Sequence, residues 1–150
     1  MMYSLYLPSD YDEEKTYPLV LFMPDATGEG SDEYKSLTES LGGVIWSEDS
    51  WQENNPCIIL MPQYESNNSE DPAYTVELLQ YIEASYAVDT KRIYLVGQSS
   101  GTIRSIKLFI DYPDLFAAGM LVAGQVDETY ADRLTELANK QEYMVDLLCK

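Results

Sequence analysis

The chain has 150 residues, of which 45% are hydrophobic, enough to bury one core, although single α/β domains often reach about 200–250 residues. Its 26 acidic and 9 basic residues give a formal net charge of −17, which repels phosphate backbones and anionic lipid surfaces and argues against nucleic acid and membrane partners. No apolar run approaches the roughly 20 residues that span a bilayer, and the first residues lack the pattern of a signal peptide. The sequence fits a cytoplasmic protein, or one whose signal was removed upstream.

Cysteine and histidine usage bounds the chemistry further. Cys57 lies in an apolar run and Cys149 is one residue from the end, so unpaired thiols are favoured over a bridge. The chain has no histidine and no CxxC pair, and its acidic residues are scattered without the spacing of a calcium loop. We therefore expect no metal and no cofactor.

Strand-like and helix-like segments alternate along the chain, which predicts an α/β fold with a mostly parallel sheet and flanking helices. Tyr3–Leu7 alternates in polarity, as a half-buried strand does. Tyr17–Met23 is a continuous apolar run with prolines near both ends, typical of a buried central strand. Four further strands are predicted, at Cys57–Met61, Arg92–Val96, Phe116–Ala123 and Tyr143–Leu148.

Four helices are predicted between these strands. The first begins at Ser31 as N-cap, with Asp32 and Glu33 in its first turn. The second begins at Pro72, because proline at the first helical position lacks only an amide that would have no partner. The third follows Arg92–Val96 and ends at Tyr112-Pro113, and the fourth covers Asp127–Lys140. Their apolar faces are predicted to comprise Val76, Leu79, Ile82 and Tyr86; Ile103, Ile106 and Ile110; and Tyr130, Leu134 and Leu137. Without a repeat or a linker, a single domain over residues 1–150 is the simplest organisation.

Gly97-Gln98-Ser99-Ser100-Gly101 lies between a predicted strand and a predicted helix, which is the layout of a nucleophile elbow. The glycines let the backbone turn sharply and lift the Ser99 hydroxyl above the carboxyl edge of the sheet. The amino terminus of the helix offers free amides to a developing oxyanion. Two alternatives stay open, a structural turn and a backbone cradle for phosphate, although the Walker lysine and the GxGxxG spacing are missing.

Together with the loop after Tyr17–Met23 and the segment 112–118, the elbow makes the chain resemble the α/β-hydrolase family. Within that family it is most similar to esterases like the polyhydroxybutyrate depolymerases and to prolyl-oligopeptidase-like hydrolases. The segments that carry the resemblance are 6–11, 17–22, 24–30, 55–63 and 92–97. It implies a serine hydrolase that cleaves carboxylic esters, a small-molecule ester substrate and an acyl-enzyme intermediate.

Carried over residue by residue, the resemblance makes Ser99 the nucleophile and the backbone amides of Ser100 and Ala26 the oxyanion donors. The family's usual His-Gly opening of the oxyanion loop is replaced here by Pro24-Asp25. A carboxylate at Asp25 would disfavour a nearby oxyanion unless it is paired or turned away. Alternatively, Asp25 is a turn residue that bonds to its own backbone.

The usual base that activates such a serine is histidine, and this chain contains none. The predicted elbow therefore lacks its usual base within these 150 residues. The resemblance implies that the catalytic acid follows the strand at Tyr143–Leu148 and that the histidine comes later still, both beyond Lys150. Asp146 falls inside that strand and is not assigned a role. We therefore expect the N-terminal portion of a longer enzyme, truncated before its acid and histidine; the alternative is an inactive binding module. The incomplete fold would expose a sheet edge, which predicts pairing into a homo-oligomer.

Overall fold

The computed structural model describes residues 1–32, 34–65, 72–125 and 128–140. In these residues five strands form one sheet: β1 (Met2–Tyr6), β2 (Tyr17–Met23), β3 (Ile58–Gln63), β4 (Val88–Gln98) and β5 (Ala118–Val122). Their spatial order is β1-β3-β2-β4-β5. β2 to β5 pair in parallel and β1 runs antiparallel to β3. The mostly parallel sheet predicted from the sequence is therefore confirmed, with one antiparallel strand.

Six helices flank the sheet in the described residues. Three are single turns: α1 (Lys35–Thr38), α2 (Leu41–Val44) and α3 (Asp49–Gln52). The longer ones are α4 (Pro72–Ser85), α5 (Ser100–Asp111) and α6 (Ala131–Lys140). Short 3-10 turns cover Ala26–Gly28, Ile45–Ser47 and Glu128–Tyr130. Proline does begin α4, as its missing amide predicts.

The two faces of the sheet pack differently. Successive side chains of a strand point to opposite faces, so Ile58 belongs to one cluster and its neighbour Ile59 to the other. The helix-covered core joins strand side chains to α4 and α5, and includes Leu19, Leu21, Ile58, Leu60, Ile93, Leu95, Leu79, Ile82, Ile106 and Phe109. The groove-side cluster is smaller and consists of Val20, Phe22, Cys57, Ile59, Met61 and Val96, with Tyr6 and Trp46 packed against it.

A groove of about 820 Å³ opens on the side of the smaller cluster. Apolar side chains that line it are Val20, Trp46, Trp51, Val96 and Met120. Trp46 and Trp51 meet edge to face there, with ring centroids 5.0 Å apart. Because residues 15–18, 92 and 118 also line it, the groove reaches the amino ends of the parallel strands, the edge opposite to Ser99.

Cys57 is buried and forms no disulfide within the part of the chain that the structure describes. Burial raises the pKa of its thiol, and the hydrogen bond with Gln52 partly opposes that effect. The predictions for Cys149 and for a strand at Tyr143–Leu148 lie outside the described residues.

Two local predictions about helices are wrong. The first helix begins at Lys35 with Tyr34 in the N-cap position, not at Ser31. The reason is that Asp32 forms a turn instead: its carboxylate accepts from the Tyr34 amide at 3.0 Å and its carbonyl accepts from the Lys35 amide at 3.1 Å. Glu33 lies outside the described residues.

The second wrong prediction is that Ile103 lies on the buried face of its helix, since this residue is 46% exposed. The buried face of α5 is lined partly by small residues, which sit close to the sheet and leave the isoleucine outside. Buried residues of α5 include Gly101, Thr102, Ser105, Ile106, Phe109 and Ile110. Ile106 and Ile110 are buried as predicted, so apolar character alone misassigned only Ile103.

The remaining helix predictions agree in part. Val76, Leu79 and Ile82 of α4 are buried, and Tyr86 packs half-buried just after the helix ends. Tyr130 and Leu134 pack against the helix-covered core as predicted. Asp127 and the side chain of Leu137 fall outside what the structure describes. The strand predicted at Phe116–Ala123 is shorter, since β5 covers only Ala118–Val122.

Candidate active site

Ser99 occupies the turn between β4 and α5 in a conformation that side chains rarely adopt. Its φ is 51° and its ψ is −116°, and the residue is exposed. The Ser99 amide donates to the Val122 carbonyl at 2.9 Å, and its carbonyl accepts from the Thr102 amide at 3.0 Å. A strained residue persists only where its surroundings hold it, and such residues concentrate at functional sites. The geometry of a strand-to-helix elbow, predicted from the sequence, is therefore present.

The two glycines of the elbow permit a close approach of α5 to the sheet. A Cβ at Gly101 would lie 2.0 Å from the Met23 carbonyl oxygen and 2.7 Å from that of Pro24. A Cβ at Gly97 would lie 2.5 Å from Ser105 Oγ. Only glycine fits at these positions, so the amino terminus of α5 is held against the end of β2.

The loop after β2 comes next to the elbow because β2 and β4 are parallel neighbours. Met23 of β2 is in register with Gly97 of β4, so the chain leaves both strands at the same level. The loop then folds into the 3-10 turn Ala26–Gly28. This places the turn and Ser99 at the same edge of the sheet.

Asp25 is paired and acts as the cap of that turn. Its Oδ1 accepts from the amides of Thr27 at 2.9 Å and Gly28 at 3.4 Å, and its Oδ2 accepts from Gln98 Nε2 at 2.8 Å. These donors are all neutral, so they satisfy the hydrogen bonds of the carboxylate without supplying a counter-charge, and they match the alternative interpretation of Asp25 as a turn residue that bonds to its own backbone. Among the described residues the amide of Ala26 has no acceptor, whereas its neighbours in the turn do.

A second set of contacts, which sequence reasoning missed, holds the same loop to β3 and α5. Gln63, at the end of β3, donates to the carbonyls of Gly28 at 2.7 Å and Gly30 at 2.9 Å. Glu29 pairs with Arg104 of α5. These partners are separated by 33 to 75 residues in the chain, so no local pattern signals them.

Chemically, the arrangement offers an exposed serine at the same edge of the sheet as the Ala26–Gly28 turn. In the described segments no group of three or more His, Cys, Asp or Glu side chains could hold a metal ion. None of the described helices has both the length and the apolar character that crossing a bilayer requires. The chain brings Ser99, the Ser100 amide and the Ala26 turn to one edge, and it supplies no histidine.

Comparison with known proteins points to esterases. The model of the Esterase family, described as "Putative esterase", matches residues 1–141. The chain is 28% identical to a thermostable esterase of known structure, with a TM-score of 0.81. It superposes with a TM-score of 0.69 on the feruloyl esterase module from Clostridium thermocellum, at 17% identity, a likeness of fold.

Two curated relatives are also esterases. Feruloyl esterase B of Talaromyces funiculosus is 36% identical over 58 residues, 39% of this chain, and acetylxylan esterase A of Aspergillus ficuum is 22% identical over 129 residues, 80% of this chain.

The matched relatives are much longer than this chain. The alignment with the thermostable esterase includes 95% of this chain but only 41% of that structure. The alignment with the feruloyl esterase module includes 92% of this chain and 56% of the module. It spans 16% of the feruloyl esterase from Talaromyces and 41% of the acetylxylan esterase. The family model nevertheless matches nearly the whole sequence. The chain therefore belongs to the Esterase family and has the α/β-hydrolase fold of its structural neighbours.

Proposed function

We propose that this chain is the N-terminal part of a serine hydrolase that cleaves carboxylic esters through an acyl-enzyme on Ser99. The observation that carries the proposal is the strained, exposed Ser99 at the β4–α5 turn, at the same edge of the sheet as the Ala26 amide, which has no acceptor among the described residues. In the proposed reaction Ser99 Oγ attacks the ester carbonyl carbon and the amides of Ser100 and Ala26 donate to the oxyanion. The alcohol then leaves, and water releases the acid from Ser99.

Each proposed donor is expected to lower the activation free energy of the attack on the ester. Loss of one oxyanion donor typically lowers kcat by about 10²–10³. The attacking hydroxyl must also lose its proton, and the chain has no histidine to accept it. We infer that the base and its acid partner come from sequence beyond Lys150, in the chain order Ser, acid, His.

A catalytically inactive binding module is the second candidate. The absence of histidine from the whole sequence favours it, and the same elbow and loop would then hold a ligand without turnover. The reading frame after residue 150 separates the two. A further strand followed by an acid and then a histidine supports the enzyme, whereas an immediate stop codon supports the module.

The relatives suggest which esters to test first. Their names specify feruloyl and acetylxylan esters, so methyl ferulate, acetylated xylan and the activated ester p-nitrophenyl acetate form a suitable panel. The proposed substrate is thus a small ester, or an ester attached to a carbohydrate.

The decisive experiment compares the 150-residue chain with the protein extended through its natural downstream sequence. We expect the short chain to show essentially no hydrolysis of p-nitrophenyl acetate that depends on Ser99, because the base is missing. The extended protein should hydrolyse it, and Ser99→Ala should abolish that activity, while Ser50→Ala, at an exposed serine of α3, should leave it unchanged. Robust turnover by the short chain that depends on Ser99 would show that another group acts as base and would overturn the mechanism.

A further inference from the structure

A buried ion pair joins the two segments that carry the proposed oxyanion donors. Glu29 follows the turn Ala26–Gly28, and Arg104 lies on α5 one turn after Ser100. Their side chains are only 10% and 13% exposed, and Arg104 Nη2 contacts Glu29 Oε1. Other ion pairs among the described residues join side chains that are at least 26% exposed. Burying two charges is costly unless good geometry and further hydrogen bonds compensate.

The contacts of the pair extend directly to both donor segments. Ser100 Oγ donates to Glu29 Oε1 at 3.4 Å, so Glu29 touches the residue whose amide is one proposed donor. Arg104 Nη1 donates to the Pro24 carbonyl at 3.5 Å, at the start of the loop that carries the other donor. The Arg104 guanidinium also lies 4.2 Å from the centroid of the Tyr64 ring, which fixes its plane.

We propose that Glu29 and Arg104 are positioning residues that hold the Ser100 and Ala26 amides at the separation an oxyanion requires. The proposal rests on the proposed function. Neither side chain is proposed to touch the reacting atoms. Their effect is on the distance between α5 and the loop, and on the electric field at the edge of the sheet.

The physical basis is the narrow tolerance of an oxyanion site. Donors act when they lie about 2.7–3.1 Å from the oxyanion, and a misplacement of about 1 Å can cost about 10²-fold in rate. Charge adds an asymmetry. Without Arg104 the Glu29 carboxylate stays buried and unbalanced, and its field opposes a nearby oxyanion, whereas without the Glu29 charge the remaining Arg104 cation favours it.

The test uses the extended protein described above, with kcat, KM, the inhibition constant of phenylboronic acid and the melting temperature as readouts. Phenylboronic acid adds to a serine hydroxyl, losing a proton, and its tetrahedral adduct occupies the oxyanion site. We expect Arg104→Met to lower kcat by about 10- to 100-fold with KM little changed. The inhibition constant of phenylboronic acid should rise by a similar factor. Glu29→Gln should lower kcat and boronate affinity less than Arg104→Met does. The double variant Glu29→Gln with Arg104→Met should have a higher kcat than Arg104→Met alone.

Arg92→Met is the matched control, because Arg92 pairs with Asp89 in an exposed ion pair near the other end of β4. Arg92→Met should leave kcat and the inhibition constant of phenylboronic acid unchanged. A folded Arg104→Met protein with the kcat and boronate affinity of the parent would overturn the proposal, as would an equal loss in Arg92→Met.

If Arg104→Met does not fold, Arg104→Lys takes its place. Lysine keeps the charge but cannot reach Glu29 and the Pro24 carbonyl together as the planar guanidinium does. Unchanged kcat and boronate affinity in the folded lysine variant would then refute the positioning role. Ser99→Ala separates the two claims: if it stays active, the proposed function fails, and if it is inactive while Arg104 variants match the parent, only the positioning role fails.

Discussion

The two faces of the sheet differ in how completely this chain covers them, and the candidate site depends on the covered one. On the helix-covered face, α4 and α5 pack over the strands and form the larger buried cluster. On the other face, short helices leave the groove with its exposed Met120 and Trp51. Ser99 belongs to the β4–α5 turn of the well-packed face. The comparison indicates that the elbow geometry is held by packing that this chain contains by itself.

The largest test of that comparison removes matched side chains from adjacent positions of β3. Ile58 is in the helix-covered core and Ile59 is in the groove-side cluster, and they are 0% and 2% exposed. We expect Ile58→Ala to lower the free energy of unfolding by about 3–5 kcal/mol, and Ile59→Ala by about 2 kcal/mol, because the groove side can collapse more easily around a cavity. Urea denaturation of both variants measures the difference. Equal losses would show that the two faces are equally well packed.

A smaller effect is expected at the elbow itself. Glycine adopts the φ of 51° at Ser99 without the strain that a side chain causes, so Ser99→Gly should be more stable than Ser99→Ala by about 1 kcal/mol. Ser50, in the helical turn α3, is the matched control, since there the glycine variant should be less stable than the alanine variant by about 1 kcal/mol. The same sign at both positions would mean that the elbow is not strained in solution.

The smallest expected effect concerns the open face and the outer strand of the described sheet. β5 pairs with β4 only, in the residues described, and Met120 of β5 is 40% exposed at the groove. We expect weak self-association of the 150-residue chain despite its negative charge, and less of it in Met120→Glu. Sedimentation velocity at neutral pH and moderate salt measures both. A clean monomer for the parent chain would contradict the idea that this face is available for contacts.

Buried strands and the elbow could be predicted from the sequence because their signals are local. Tyr17–Met23 is apolar throughout and is buried as β2 with the same bounds, and the Gly-x-Ser-x-Gly pattern marks Ser99 by its spacing. The helix start at Ser31 failed because Asp32, one residue later, competes for the same amides through a turn. Ile103 failed because small residues, which carry little hydrophobic signal, form much of the buried face of α5.

The support of the candidate site could not be predicted in the same way. The hydrogen bond from Gln98 to Asp25 joins residues 73 positions apart, and the Glu29–Arg104 pair joins residues 75 apart. Such pairs depend on the register of β2 against β4 and on the close approach at Gly101, which only the folded chain reveals. The sequence identified Asp25 as a difficulty for catalysis, and the structure shows the donors that satisfy its carboxylate.

The most direct test of the central claim is to locate the nucleophile chemically. The extended protein is treated with a fluorophosphonate, digested, and mapped by tandem mass spectrometry, with Ser99→Ala treated in parallel. The account predicts one stoichiometric adduct, on Ser99, that is absent from the variant and whose formation parallels the loss of esterase activity. An active esterase that carries the adduct on a different residue, or that keeps its activity in Ser99→Ala, would contradict the account.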